Sequence, residues 1–121
     1  KSSLTETQKN EIIEKLNSVM NDDKYFKNNL ASLEKISKMI NIPKHHVSQA
    51  INEKLNKTFF ELLAEYRVNE ARNILLDEKN KNITIDEIAE MVGYNSKSAF
   101  NNAFKKITGT TPANYRNHNQ T

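Results

Sequence analysis

Apolar residues recur along the chain at helical spacing, and one stretch of that pattern occurs twice. The segment ISKMINIPKHHVSQAINEKLNKTFFELL, residues 36–63, is followed about fifty residues later by IAEMVGYNSKSAFNNAFKKITGTTPANYR, residues 88–116. Ile36 pairs with Ile88, Met39 with Met91, Ile40 with Val92 and Asn41 with Gly93. After one extra residue in the second copy, Val47 pairs with Phe100, Ala50 with Ala103, Ile51 with Phe104, Asn56 with Gly109 and Thr58 with Thr111. The shared positions are mostly apolar and the polar residues between them differ. Each copy therefore reads as a helix, a tight turn and a second helix, with one skeleton carrying two different polar faces.

The rest of the pattern supplies the surrounding helices, about seven in all. Ile12, Ile13, Leu16 and Val19 make one buried stripe on a helix over about Glu6 to Met20, closed by a turn at Asn21, Asp22 and Asp23. A loop through Asn28 and Asn29 leads to Ser32, an N-cap for the helix holding Leu33, Ile36 and Ile40. Thr58 with Glu61, and Thr84 with Glu87, are capping boxes. The first opens a long helix from about Phe59 to Glu78, and the second opens the first helix of the second copy. Twenty residues of helix span about 30 Å, close to the roughly 34 Å of one duplex turn. Leu62, Leu63, Tyr66, Ala71, Ile74 and Leu75 also make that connector a core helix. Asn41 and Gly93 both accept the left-handed backbone that a tight interhelical turn needs.

The predicted fold class is thus all-α, two helix-turn-helix subdomains joined by a long connecting helix. The expected divisions are an N-terminal helix or linker region over 1–30, the first helix-turn-helix over 31–57, the connector over 58–79, and the second helix-turn-helix with a tail over 80–121. Residues 1–30 are read either as an extra helix on the first unit or as the tail of a linker.

Composition narrows the chemistry. The 121 residues contain two Gly, two Pro and no Cys, which leaves little room for hairpin sheets and none for disulfides or thiolate metal sites. No apolar run approaches the ~20 residues of a membrane span, and no signal peptide is visible, so a cytoplasmic protein is expected. The net charge is +3, and its distribution says more than its size. Residues 43–57 carry three Lys against one Glu, and residues 92–121 carry Lys97, Lys105, Lys106 and Arg116 with no acid. Residues 58–91 carry eight acids against four bases. The second helix of each copy lies in a basic segment, as in a face that tracks a phosphate backbone.

With these motifs in hand, the chain resembles the DNA-binding domain of the AraC/XylS family of bacterial transcription regulators. The stretch IAEMVGYNSKSAFNNAFKKITGTTPANYR is similar to that family's signature almost position for position. Arg67, Ala71 and Leu75 in the connector and the lead-in SLEKISKMINI add to the likeness, which covers about residues 30–116. The resemblance implies base-reading positions at His45, Ser48 and Gln49 in the first unit, and at Lys97, Ser98, Asn101 and Asn102 in the second. It implies contacts to the DNA backbone from Lys44, His46, Asn52, Lys57, Ser96, Lys105, Lys106 and Arg116. Spacing adds that residues 48, 49 and 52 share one helical face, as do 98, 101, 102 and 105, while Val47, Ala50, Ile51, Phe100, Ala103 and Phe104 point inward.

Gln and Asn pair bidentately with adenine, so A-rich half-sites are expected. Many family members carry Arg where this chain has Gln49 and Asn102, so guanine contacts are not carried over. Pro43 stands where a capping Ser is frequent, and Asn56 where Gly is usual.

Other chemistry is expected to be absent. His45 and His46 are adjacent and are expected to point to different sides of a helix, with no ligand-spaced carboxylate beside them, so no metal is expected. Asp86, Glu87 and Glu90 open a helix, where carboxylates favour the dipole. No phosphate-cradling Gly loop or nucleophile elbow is present, so neither an enzyme, a cofactor nor a small-molecule site is expected. Phe59, Phe60, Tyr66, Tyr94, Phe100 and Phe104 are expected to pack the cores, with Tyr94, just past the turn Gly, the one expected to fall short of full burial, which favours duplex over single-strand binding. Expected partners are double-stranded DNA, RNA polymerase through the acidic connecting surface, and a sensor or dimerisation region outside this chain. The competing reading is a helical protein-interaction module that keeps the fold without reading DNA.

Overall fold

The computed structural model describes residues 4–118. It contains α1 (Glu6–Asp22), α2 (Leu33–Ile40), α3 (Lys44–Leu55), α4 (Phe59–Leu76), α5 (Ile85–Met91), α6 (Lys97–Thr108) and α7 (Pro112–His118), with single 3-10 turns at Tyr25–Lys27 and Glu78–Asn80. No strand occurs among the described residues. No helix among them is long and apolar enough to cross a membrane.

The helix ends follow their caps. Ser32 Oγ accepts from the Lys35 N–H at 3.1 Å, and Thr58 and Thr84 each form a reciprocal box with Glu61 and Glu87. A third box, Thr5 with Gln8, opens α1 and has the same spacing. Two predicted ends move. α1 continues through Asp22, where Ser18 Oγ donates to its carboxylate, and the chain turns instead at Lys24 with φ 54°. α4 stops at Leu76 because Asp77 adopts an extended backbone and accepts from the Lys79 N–H at 3.0 Å. A short carboxylate that bonds two residues ahead competes with helix continuation.

The chain divides into two compact units. The first comprises residues 4–25 and 30–63 of the described chain, and the second Phe26–Asn29 with residues 64–118. The division falls within α4, which gives its first five residues to one unit and the remainder to the other.

In the first unit α1 packs on both α2 and α3. Ile12, Leu16 and Met20 of α1 join Ile36, Ile40, Val47, Ala50, Ile51, Phe59, Leu62 and Leu63 in the buried core. The N-terminal helix is therefore a third wall of this unit, which supplies an apolar partner for the face that two short helices cannot cover alone.

In the second unit Val68, Ala71, Ile74, Leu75, Ile88, Ala89, Val92, Phe100 and Phe104 form the core. Phe104 meets Phe100 at 5.7 Å and Tyr115 at 5.3 Å between ring centroids, both edge to face. Tyr94 is partly buried, as expected, with the Arg67 guanidinium carbon 5.0 Å from its ring centre.

Phe60 corrects an expectation, being 73% exposed while Phe59 beside it is buried. Successive helical residues diverge by about 100°, so only one of the pair can face the core. The matched Met39 and Met91 are likewise exposed, whereas the matched apolar pairs Ile36 and Ile88, Ile40 and Val92, Val47 and Phe100, and Ile51 and Phe104 are buried; Ala50 is buried and its match Ala103 only partly so.

Candidate nucleic-acid interface

The second helix of each pair, α3 or α6, is aimed by its turn and its buried side. Before α3, Asn41 sits at φ 58°, ψ 44°, and its N–H returns to the Lys38 carbonyl. Before α6 the equivalent residue is Gly93 at φ 109°. A Cβ on Gly93 would lie 2.6 Å from the Phe26 carbonyl oxygen and 2.8 Å from Arg67 Nε. This glycine is thus needed for a close approach as well as for its backbone angle.

At their far ends the two helices are capped alike, Asn56 N–H to the Asn52 carbonyl at 2.9 Å and Gly109 N–H to the Lys105 carbonyl at 2.8 Å, both residues left-handed. Ser96 caps the start of α6 through the Ala99 N–H at 3.1 Å, whereas Pro43 gives α3 no side-chain cap.

On α3, Val47, Ala50 and Ile51 are fully buried, while Lys44, His45, Ser48 and Asn52 are exposed and His46 and Gln49 are half-buried. On α6, Phe100 and Phe104 are fully buried, Lys97, Ser98, Asn102, Lys105 and Lys106 are exposed, and Asn101 is half-buried. Lys57 follows α3 and is half-buried. The His45 and His46 rings do not diverge as expected but lie together, 4.3 Å between centroids, because broad rings on adjacent positions can swing into contact. Arg116 turns inward, its Nη2 donating to the Asn80 carbonyl at 3.3 Å. Lys97 lies 3.9 Å from Asp86, a loose and exposed pair that leaves its ammonium accessible.

Sequence reasoning missed the residues that hold α3 from behind. Lys9 of α1 is buried and forms ion pairs with Glu6 at 2.9 Å and Glu53 of α3 at 2.7 Å, while Lys54 of α3 reaches Glu6 at 2.9 Å. The spacing of Glu6 and Lys9 shows a local pair, but nothing in the sequence announces that both reach α3.

Hydrogen bonds from Lys54 and then Lys9 hold the Glu6 carboxyl down to about 2. A carboxyl depressed in the folded state contributes stability above its ordinary value of 4.5, and that contribution fades as pH falls through the folded value. The difference in melting temperature between the wild type and Glu6→Gln is therefore expected to be largest above pH 4.5 and to vanish near pH 2. A difference independent of pH would show that the pairing is not what Glu6 contributes.

Among the described residues no group of His and carboxylates is arranged to hold a metal.

A helix-turn-helix domain model matches residues 36–118. The xylose operon regulatory protein of Escherichia coli strain K12 is 26% identical over 87 residues, covering 72% of this chain and 21% of that protein. The chain spans between 11% and 22% of the length of the curated relatives it matches. Among solved structures, the C-terminal domain of AraT, a response regulator from Geobacillus stearothermophilus, has a TM-score of 0.76 at 29% identity, covering 97% of this chain and 88% of that one. The DNA-binding domain of AdpA, a global transcriptional factor solved with a target DNA, shares the fold with a TM-score of 0.74 at 18% identity, covering 88% and 90%. The chain belongs to the AraC/XylS-type helix-turn-helix family, a non-enzymatic class of DNA-binding domains from transcription regulators.

Proposed function

We propose that this chain binds duplex DNA sequence-specifically to control transcription, with α3 and α6 as its reading helices in successive major grooves. The observation that carries the reading is the cross-section of those helices. Each buries an apolar stripe, Val47, Ala50 and Ile51 on α3 and Phe100 and Phe104 on α6, and leaves a polar side of Ser, Asn and Lys in solvent, and α6 bears three lysines and no acid. Such a stripe is free to enter a groove, with side chains on base edges and ammonium groups on flanking phosphates.

The proposed base-reading residues are His45, Ser48 and Gln49 on α3, and Lys97, Ser98, Asn101 and Asn102 on α6. Lys44, His46, Asn52, Lys57, Ser96, Lys105 and Lys106 are proposed to position the helices on the backbone. Arg116, engaged with the Asn80 carbonyl, contributes to that surface only if this bond opens. The binding of target DNA by the AdpA domain of the same fold supports the reading.

Selection of bound duplexes from a randomised pool tests it. Two enriched half-sites about one helical turn, or roughly ten base pairs, apart are expected. Lys105→Ala and Lys106→Ala are expected to weaken binding across all sequences and to flatten the dependence of log affinity on log salt by about one per lysine. A folded protein that enriches no sequence, with affinity indifferent to salt, would instead be a protein-docking module.

A further inference from the structure

We infer that the Lys9–Glu53 ion pair positions Gln49, turning its side-chain amide so that Oε1 faces outward as a hydrogen-bond acceptor for a base edge. The inference rests on the proposed reading of DNA by α3 and adds to it two residues, one of them on α1.

Lys9 leaves only 9% of its side chain exposed, and its ammonium is shared between Glu6 Oε2 and Glu53 Oε1. An ammonium enclosed in this way cannot follow solvent, so it holds the Glu53 carboxylate at a fixed point on α3. The same pairing keeps the Glu53 carboxyl below its usual range and therefore ionised. The second carboxylate oxygen, Oε2, lies 3.4 Å from Gln49 Nε2, one helical turn back.

An ionised carboxylate only accepts hydrogen bonds. It favours the amide nitrogen on its own side and opposes the flipped amide, which would set two oxygens together. The outward group is then the amide oxygen. In the major groove the matching donors are the exocyclic amines of adenine and cytosine, whereas guanine presents only its N7 and O6 acceptors. Lys9 also cancels the charge that Glu53 would otherwise hold against a phosphate, so an acid on a reading helix carries little penalty there.

The probes are a duplex recovered by the selection and a panel with each base pair of the α3 half-site replaced in turn. Gln49→Ala first locates the base pair that Gln49 reads. Glu53→Gln, close in shape but able to donate, is expected to reduce discrimination against guanine at that pair by about fivefold or more, with preferences in the α6 half-site unchanged. Lys9→Met is expected to act the same way, and Lys9→Arg to retain the preference. In the free protein, both Glu53→Gln and Lys9→Met are expected to shift the Gln49 side-chain amide resonances.

If Gln49→Ala changes no base preference, Gln49 reads no base and the inference falls with that assignment. If Gln49→Ala does change it but Glu53→Gln only raises affinity equally for every duplex, Glu53 is a repelling charge and positions nothing. Amide resonances unmoved by either variant would overturn the inference without reference to DNA.

Discussion

Gly93→Val is expected to lower the melting temperature of the second unit by on the order of 10 °C or more. Two costs coincide at this position. With φ at 109°, a side chain is strained in any surroundings, by roughly 1–2 kcal/mol and more for a β-branched residue. In addition, a Cβ would stand 2.6 Å from a backbone oxygen, that of Phe26, and 2.8 Å from Arg67 Nε. These two atoms are bonded to each other at 2.7 Å, so relieving the clash breaks a charge-assisted hydrogen bond, worth about 1.5–3 kcal/mol. A total of about 3–5 kcal/mol corresponds to the stated shift for a domain of this size. Gly109 is the internal control. It has φ 86°, but a Cβ there meets nothing within 4 Å. Gly109→Ala should therefore cost only the strain, and Gly93→Ala considerably more. Equal losses in thermal unfolding would show that the close approach at Gly93 contributes nothing.

Arg67→Ala is expected to be comparably damaging, at about 3 kcal/mol or more by urea or thermal unfolding. The side chain is buried on α4 and uses its fork twice. Nε donates to the Phe26 carbonyl at 2.7 Å and Nη2 to the Asn28 carbonyl at 2.9 Å, while the guanidinium lies over Tyr94. Removing it strips the carbonyls of a segment that is otherwise tied to the unit by side chains, Lys27 to Glu70 at 3.3 Å and Asn29 to Asn95 at 2.8 Å. Arg67→Lys should rescue little, because a single ammonium cannot reproduce two donors fixed in one plane. Gly93→Val and Arg67→Ala disturb the same carbonyl, so the double variant should cost clearly less than the sum of the two. Strict additivity would separate the glycine from the arginine and remove the physical link drawn between them.

Much of the fold and the outward faces of the candidate site was legible because local rules govern them. Periodicity distinguishes Val47, Ala50 and Ile51 from Ser48 and Asn52 on α3, and Phe100 and Phe104 from Lys97, Ser98 and Asn102 on α6. Capping preferences place the starts of α2, α4 and α5 within a residue. The left-handed turns at Asn41, Asn56 and Gly109 follow from the few residue types that tolerate them. The errors were also local in origin. Phe60 matched the composition of a core residue but lay about 100° around the helix from Phe59. Asp77 read as a helical residue until its side chain captured the Lys79 N–H.

Sequence by itself determined the repeated helix pairs, their caps, the hydrophobic stripes and the basic character of the second helix in each pair. These depend on residues within a turn or two of each other, where spacing is geometry. Only the tertiary structure decided that α1 belongs to the first unit, that Lys9 and Lys54 form a network with Glu6 and Glu53, and that Phe26–Asn29 is held in the second unit by Arg67. The defining contacts, Lys54 to Glu6, Lys9 to Glu53 and Arg67 to Phe26, join residues about 40 or more positions apart. For Lys9 and Arg67 burial creates the energetics, since an exposed lysine or arginine is worth little to stability, whereas the same group enclosed among fixed acceptors cannot exchange them for water. That enclosure is a property of packed helices and has no periodic trace in the chain.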